Sequence, residues 1–162
     1  MIKEILFKEI PLYSALIVDK NTEEKINSML PKPKDFNDEF HTTVCYSKKP
    51  MPIKKDFLEE RDLPYRGTAK VIDWVIFESE NYGRSFCLVL DCPLCVRKFN
   101  VFVLGGASFD YDKYVPHLTL YYDLPKNIKP EELFERFKGL EIKYSAIRFE
   151  EINEEKYKED TK

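Results

Sequence analysis

Apolar and polar positions alternate along this chain in blocks that predict a mixed succession of strands and helices. Leu12 to Val18 is an apolar run bounded by Pro11 and Asp19, which predicts a buried strand. Asn21 or Thr22 can then cap a helix running to about Leu30. Glu23 and Glu24 suit its positive end, and Pro31 and Pro33 stop it. Lys32 to Glu39 is a polar loop, and Phe40 to Tyr46 is the next strand, broken by Pro50 and Pro52. Asp56 to Arg61 reads as a short helical turn.

Tyr65 to Ser79 is rich in β-branched and aromatic residues. With the turn signal Asn81-Tyr82-Gly83 and the run Arg84 to Leu90, it predicts an antiparallel hairpin. Asp91 or Cys92, followed by Pro93, opens a helix that Gly105-Gly106 ends, although Val101-Phe102-Val103 also suits a strand. Tyr111 to Val115 leads through Pro116 into a strand from His117 to Tyr122. Pro130, Glu131 and Glu132 start a helix that ends near Gly139, and Glu141 to Glu150 alternates as a final strand. Residues 153–162 are almost all charged and read as a disordered tail.

Each half of the chain therefore repeats strand, helix, strand. The expected class is α+β: a bilobal, pseudo-twofold fold with antiparallel sheets around a central groove and helices outside. Residues 1–152 are expected to form a single domain.

Composition narrows the function. Of 162 residues, 43% are hydrophobic and 14% aromatic, enough for a core. The 29 acids and 26 bases give a net charge of −3, which argues against a protein that coats long nucleic acid. No stretch has the ~18 apolar residues of a membrane helix, and the amino-terminal run is interrupted by charge, so a cytoplasmic protein is expected. Cys45, Cys87, Cys92 and Cys95 are expected as reduced thiols. Cys92-Pro93-Leu94-Cys95 has the form of a redox or half-zinc motif, but buried packing thiols at a strand–helix corner are the preferred reading. No metal and no cofactor is expected, because no acidic or cysteine cluster with ligand spacing accompanies the histidines.

The candidate chemistry lies in the only two histidines. His41-Thr42-Thr43-Val44 and His117-Leu118-Thr119-Leu120 share the pattern His, any residue, Thr, hydrophobic. In a strand, positions i and i+2 face the same way, so His41 with Thr43, and His117 with Thr119, project together. Thr42 should point the other way. One neutral imidazole can take a proton while an imidazolium delivers another. The threonine hydroxyls can donate to phosphate oxygens where charge builds. Trp74, Tyr13 and Tyr111 are candidate platforms for bases, since base–aromatic stacking tolerates different bases. Lys70, Arg84 and Lys113 could supply positive charge to a groove.

Paired His-x-Thr-hydrophobic motifs half a chain apart resemble the two-histidine phosphoesterases. That resemblance implies a bilobal α+β fold, facing histidines in a central groove, and metal-independent action on 2′,3′-cyclic phosphates, 2′–5′ oligoadenylates or RNA ends. Leu88-Val89-Leu90-Asp91-Cys92-Pro93, Gly105-Gly106-Ala107-Ser108-Phe109-Asp110-Tyr111 and Tyr114-Val115-Pro116-His117-Leu118-Thr119 look like the bacteriophage anti-CBASS nucleases. This closer resemblance implies a phosphodiesterase that degrades small cyclic di- and trinucleotide immune signals in the host cytoplasm. Its site would be His41, His117, Thr43 and Thr119. The rival readings are a general two-histidine phosphodiesterase and a cyclic-nucleotide sponge that binds without cutting.

Overall fold

The computed structural model describes residues 6–80 and 83–153. The element order is β1 (Phe7–Val18), α1 (Lys20–Met29), β2 (His41–Lys54), α2 (Lys55–Glu60) and β3 (Asp62–Ser79) in the first half. The second half follows with β4 (Gly83–Asp91), α3 (Pro93–Leu104), β5 (His117–Tyr121), α4 (Pro130–Phe137) and β6 (Glu141–Glu151). The predicted turn residues Asn81 and Tyr82 lie outside the described residues, as does the charged tail beyond Asn153.

All pairings are antiparallel, and they join the strands into one six-stranded sheet in the order β2-β1-β6-β3-β4-β5. This corrects the expectation of separate sheets. The last strand of each half crosses over, and β6 pairs with β3 to make the sheet continuous. The order has an internal symmetry: exchanging every strand for the one three places along the chain returns the same sequence read from the other end. The sheet curls into a half-barrel, bringing its edge strands β2 and β5, which both begin at a histidine, close to one another.

Several boundaries differ from the sequence expectation, among them the start of β3 at Asp62 rather than Tyr65. Asp19, not Asn21 or Thr22, caps α1: its carboxylate comes first and accepts from Thr22 N–H at 2.8 Å. β1 begins at Phe7, ahead of Pro11. β2 runs through Pro50 and Pro52 to Lys54, because as an edge strand it has one side that needs no ladder donors. A bulge carrying Lys48 and Lys49 separates the pairs Leu12–Ser47 and Pro11–Pro50. Val101-Phe102-Val103 is helical, within α3.

The register gives the sheet two distinct faces. Across β3, β4 and β5, Trp74, Leu88 and Leu118 align on one face, while Val75, Cys87 and Thr119, and Asp73, Val89 and His117, align on the other. Leu88 and Leu118 belong to the apolar core, together with Leu12, Leu16, Val18, Ile26, Leu133 and Phe137. Helices pack on this core face. Phe57 of α2 stacks on Phe149 at 5.3 Å, and Leu94 of α3 sits so close to Gly67 that a Cβ there would lie 2.1 Å from Leu94 Cδ2. No described helix is long and apolar enough to cross a membrane.

Candidate active site

Both His-x-Thr motifs show the same burial alternation: half-buried, buried, half-buried, buried. The face-sharing expected from the strand period therefore holds, with His41 and Thr43 on one face and Thr42 on the other. Thr42 is fully buried and shares a hydrogen bond with Tyr144 Oη at 2.7 Å. In the ladder His41 stands opposite Ile17 and Thr43 opposite Ala15. His117 stands opposite Val89 and Thr119 opposite Cys87.

The two imidazoles are held alike. His41 Nδ1–H donates to the carbonyl of Glu39 at 3.0 Å, and His117 Nδ1–H to that of Val115 at 2.8 Å. A carbonyl only accepts, so in each ring the hydrogen sits on Nδ1, and Nε2 is left with its lone pair when the ring is neutral. Burial, followed by repulsion from a charged His41, pushes the His117 pKa below 6.5, against the opposing effect of its bond to Val115.

Each threonine is backed by a neighbour. Cys87 Sγ lies 3.3 Å from Thr119 Oγ1, and burial raises the thiol to about 11, so it stays protonated and can donate to the threonine. Tyr13's phenol, pushed up by burial, is hydrogen-bonded with Thr43. The Tyr13 ring also meets His41 edge-on at 6.3 Å, so the structure brings Tyr13 to the histidine that sequence reasoning left unconnected to it.

Trp74 and Tyr111 have environments different from that of Tyr13. Trp74 lies on the core face, in line with Leu88 and Leu118, and stacks on Phe86 at 5.8 Å. The aromatic on the histidine face of the same strand is Phe77, which is 47% exposed with its ring 5.5 Å from His117. Tyr111 is 76% exposed, and its ring lies edge-on to Phe109 at 5.8 Å. Lys70, Arg84 and Lys113 are all solvent-exposed. The cation that the histidine face does bury is Arg148, which aligns with Ala15 and Asp62.

Reciprocal straps hold the edge strands near each other. The segment before β2 is anchored to the end of β5: Asp35 accepts from Tyr122 N–H and Asp123 N–H at 2.9 and 2.8 Å, and Tyr121 Oη donates to Lys32 O at 2.5 Å. The segment before β5 is anchored to β2: Tyr114 Oη donates to Thr43 O at 2.7 Å, Ser108 N–H to Ser47 Oγ at 2.9 Å, and Lys48 pairs with Asp110 at 3.0 Å. In the sequence Tyr114 stands only within the stretch that leads into His117, with no role assigned to it.

Cys92 and Cys95 are buried free thiols, and Cys92 Sγ caps α3 by accepting from Cys95 N–H at 3.2 Å. An open hollow of about 530 Å³ beside them, lined by Ile72, Pro93, Val96 and Arg97 among others, contains neither histidine. Among the described residues, no group of three His, Cys, Asp or Glu side chains is placed to hold a metal ion.

Residues 11–159, which include both His-x-Thr motifs, match the family described as Anti-CBASS protein Acb1. The chain belongs to this family. Among proteins of the same description, that of Acinetobacter phage Ac42 is 30% identical over 116 residues, covering 69% of this chain and 73% of its own. That of Escherichia phage RB16 is 30% identical over 89 residues, 53% of this chain and 46% of its own. That of Enterobacteria phage T4 is 26% identical over 115 residues, 69% and 68% respectively. The chain thus spans about half the length of some Acb1 relatives and over two thirds of others.

Proposed function

We propose that this chain is a phosphodiesterase that opens 3′–5′ linked cyclic di- and trinucleotide immune signals, and so serves phage counter-defence against CBASS in the host cytoplasm. The observation that carries the reading is the matched pair of imidazoles. Two edge strands each present one, both locked with Nδ1–H on a carbonyl, so that both offer Nε2 for proton transfer. Membership of a family named for anti-CBASS action supports the biological role. The symmetric strand order supports kinship with the two-histidine phosphoesterases and a pseudo-twofold arrangement of the halves.

The chemistry follows from these groups. His117, disfavoured as an imidazolium by burial, takes the ribose 2′-hydroxyl proton at Nε2. The 2′-oxygen attacks the adjacent phosphorus, and the bond from phosphorus to the 5′-oxygen breaks. His41 delivers its Nε2 proton to that departing oxygen. The ring opens to a strand with a 2′,3′-cyclic phosphate and a 5′-hydroxyl. Water can then open the cyclic phosphate with the roles reversed, which returns both histidines to their starting states. Attack within one nucleotide proceeds at high effective molarity once the geometry is right. Thr43 and Thr119 donate to the non-bridging oxygens, their hydroxyls oriented by Tyr13 and Cys87. Tyr13 and Phe77, one beside each histidine, stack the bases.

The test is incubation with a panel of cyclic di- and trinucleotides, with and without EDTA, and separation of products by chromatography and mass. Turnover of a 3′–5′ ring that survives EDTA is expected, with a bell-shaped dependence on pH. His41→Ala and His117→Ala should each lower it roughly 10²–10⁴-fold, and the double variant should be little worse than either. Binding should persist in all three by calorimetry. Near-native turnover in a folded single variant would end the two-histidine mechanism. Cleavage of a ring lacking the 2′-hydroxyl would end internal attack, and binding without turnover in the native chain would favour a sponge.

A further inference from the structure

The two carbonyls that hold the histidines are themselves held by different means. Val115's carbonyl belongs to the Val115–Pro116 peptide, whose nitrogen has no hydrogen and whose proline ring restricts the chain. Pro116 O in turn accepts from Leu90 N–H at 2.9 Å. Glu39's carbonyl belongs to the Glu39–Phe40 peptide, and the N–H of that unit donates to Glu23 Oε1 on α1 at 3.2 Å. The rest of the Glu39 corner is gripped by Arg148.

Arg148 is 3% exposed. Its Nε and Nη2 fork onto Asp62 Oδ1 and Oδ2 at 2.7 and 3.0 Å. Its Nη1 reaches Asp38 Oδ1 at 3.3 Å and Glu39 Oε2 at 3.2 Å. Asp38 Oδ1 also accepts from Glu39 N–H at 3.0 Å, and the Asp38 carbonyl is held by Lys34 Nζ. All three guanidinium nitrogens are engaged by carboxylates, so this cation is committed to them rather than to a substrate phosphate. Stability alone is a weak reason to keep such a group, because a buried ion cluster is often matched or bettered by apolar packing. Its geometric content is strong: the planar fork ties β3 and β6 to the two residues that enter β2.

We propose that Arg148 is a positioning residue for His41. Through Asp38 and Glu39 it sets the Glu39 carbonyl, which keeps the hydrogen of His41 on Nδ1 and aims Nε2 into the groove. The catalytic consequence rests on the phosphodiesterase reading; the positioning itself does not. His117, tied to the proline-stiffened Val115 carbonyl, is the internal control.

The experiment is two-bond proton–nitrogen NMR of the histidine rings in the full chain at alkaline pH, where an imidazole is neutral and its tautomer can be read. In the native chain both rings should show hydrogen on Nδ1. The Asp38→Asn, Glu39→Gln double variant removes the charges that Arg148 grips at surface positions. His41 should then move toward a tautomer mixture while His117 stays unchanged, and Arg148→Lys should do the same. If the double variant fails to fold, Glu39→Gln alone carries the same expectation to a smaller degree. In turnover, kcat should fall roughly 10–100-fold, less than the ~10²–10⁴-fold of removing the histidine itself, with KM within about twofold. A native His41 with hydrogen on Nε2, or folded variants whose His41 spectrum matches the native one, would overturn the proposal. Absence of turnover in the native chain would count against the phosphodiesterase reading only, since the NMR comparison needs no substrate.

Discussion

At the scale of single residues, the two histidines have the same kind of hydrogen-bond partner, a backbone carbonyl two residues before each, but different surroundings. His117 lies beneath Phe77, and burial lowers its pKa. The folded state therefore prefers the neutral ring. Between that lowered value and the ordinary ~6.5, the unfolded chain binds more protons than the folded one, so stability rises with pH across this window. The contribution is fully present above ~6.5 and is lost as pH falls through the folded value. Denaturant titrations at pH 8 and pH 5 check this. The native chain should lose more stability on acidification than His117→Gln, which has no proton to gain. An equal loss in both would mean that His117 does not carry the lowered pKa. The same direction sets the ascending limb of the rate profile below ~6.5 if His117 is the base.

At the scale of elements, the parity of β3 decides which aromatic shares a face with the histidines. Trp74 and Phe77 are three residues apart and so face opposite ways. Phe77→Ala should weaken cyclic dinucleotide binding by ~1–3 kcal/mol, the loss of a base stack, and barely change the melting temperature. Trp74→Ala should destabilise the fold by roughly 1–3 kcal/mol, less than the 3–5 of a fully buried aromatic, with binding unchanged where the protein is folded. Calorimetry beside thermal melts reads both, and the reverse pattern would return Trp74 to the groove. Periodicity alone made the elements legible, because strand alternation, the Pro93 start of α3 and the glycine stops are local signals. It also paired each histidine with its threonine. It could not say which parity of β3 faces the histidines, since that depends on register against β4 and β5. Nor could it single out Arg148. An arginine in an alternating strand reads as solvent-facing, and its burial arises only where residues 38–39, 62 and 148 meet. The prolines of β2 misled for a related reason: edge position, which tolerates them, is a property of the sheet rather than of the segment.

At the scale of the whole molecule, the two histidine strands are brought together by elements that share no ladder. β2 and β5 stand at opposite ends of the sheet order, yet the proposed chemistry needs a histidine from each on one phosphate. The crossed straps supply that relation. Each leads into one histidine strand and is anchored to the other, through Asp35 on Tyr122 and Asp123 and through Tyr114 on Thr43. Tyr114→Phe is a clean probe, because the ring can keep its stack on Phe99 at 4.3 Å while the bond to Thr43 O is lost. One such bond is worth about 0.5–1.5 kcal/mol net, so the variant should fold. Asp35→Asn removes one of two acceptor oxygens from the other strap. If the straps jointly set the spacing of the histidines, either variant should lower kcat for ring opening more than binding. In a double-mutant cycle the combined loss should differ from the sum of the single losses, as expected for coupled groups. Losses that simply add, or that appear only in thermal stability, would mean that the straps brace the fold without setting the distance between the two imidazoles.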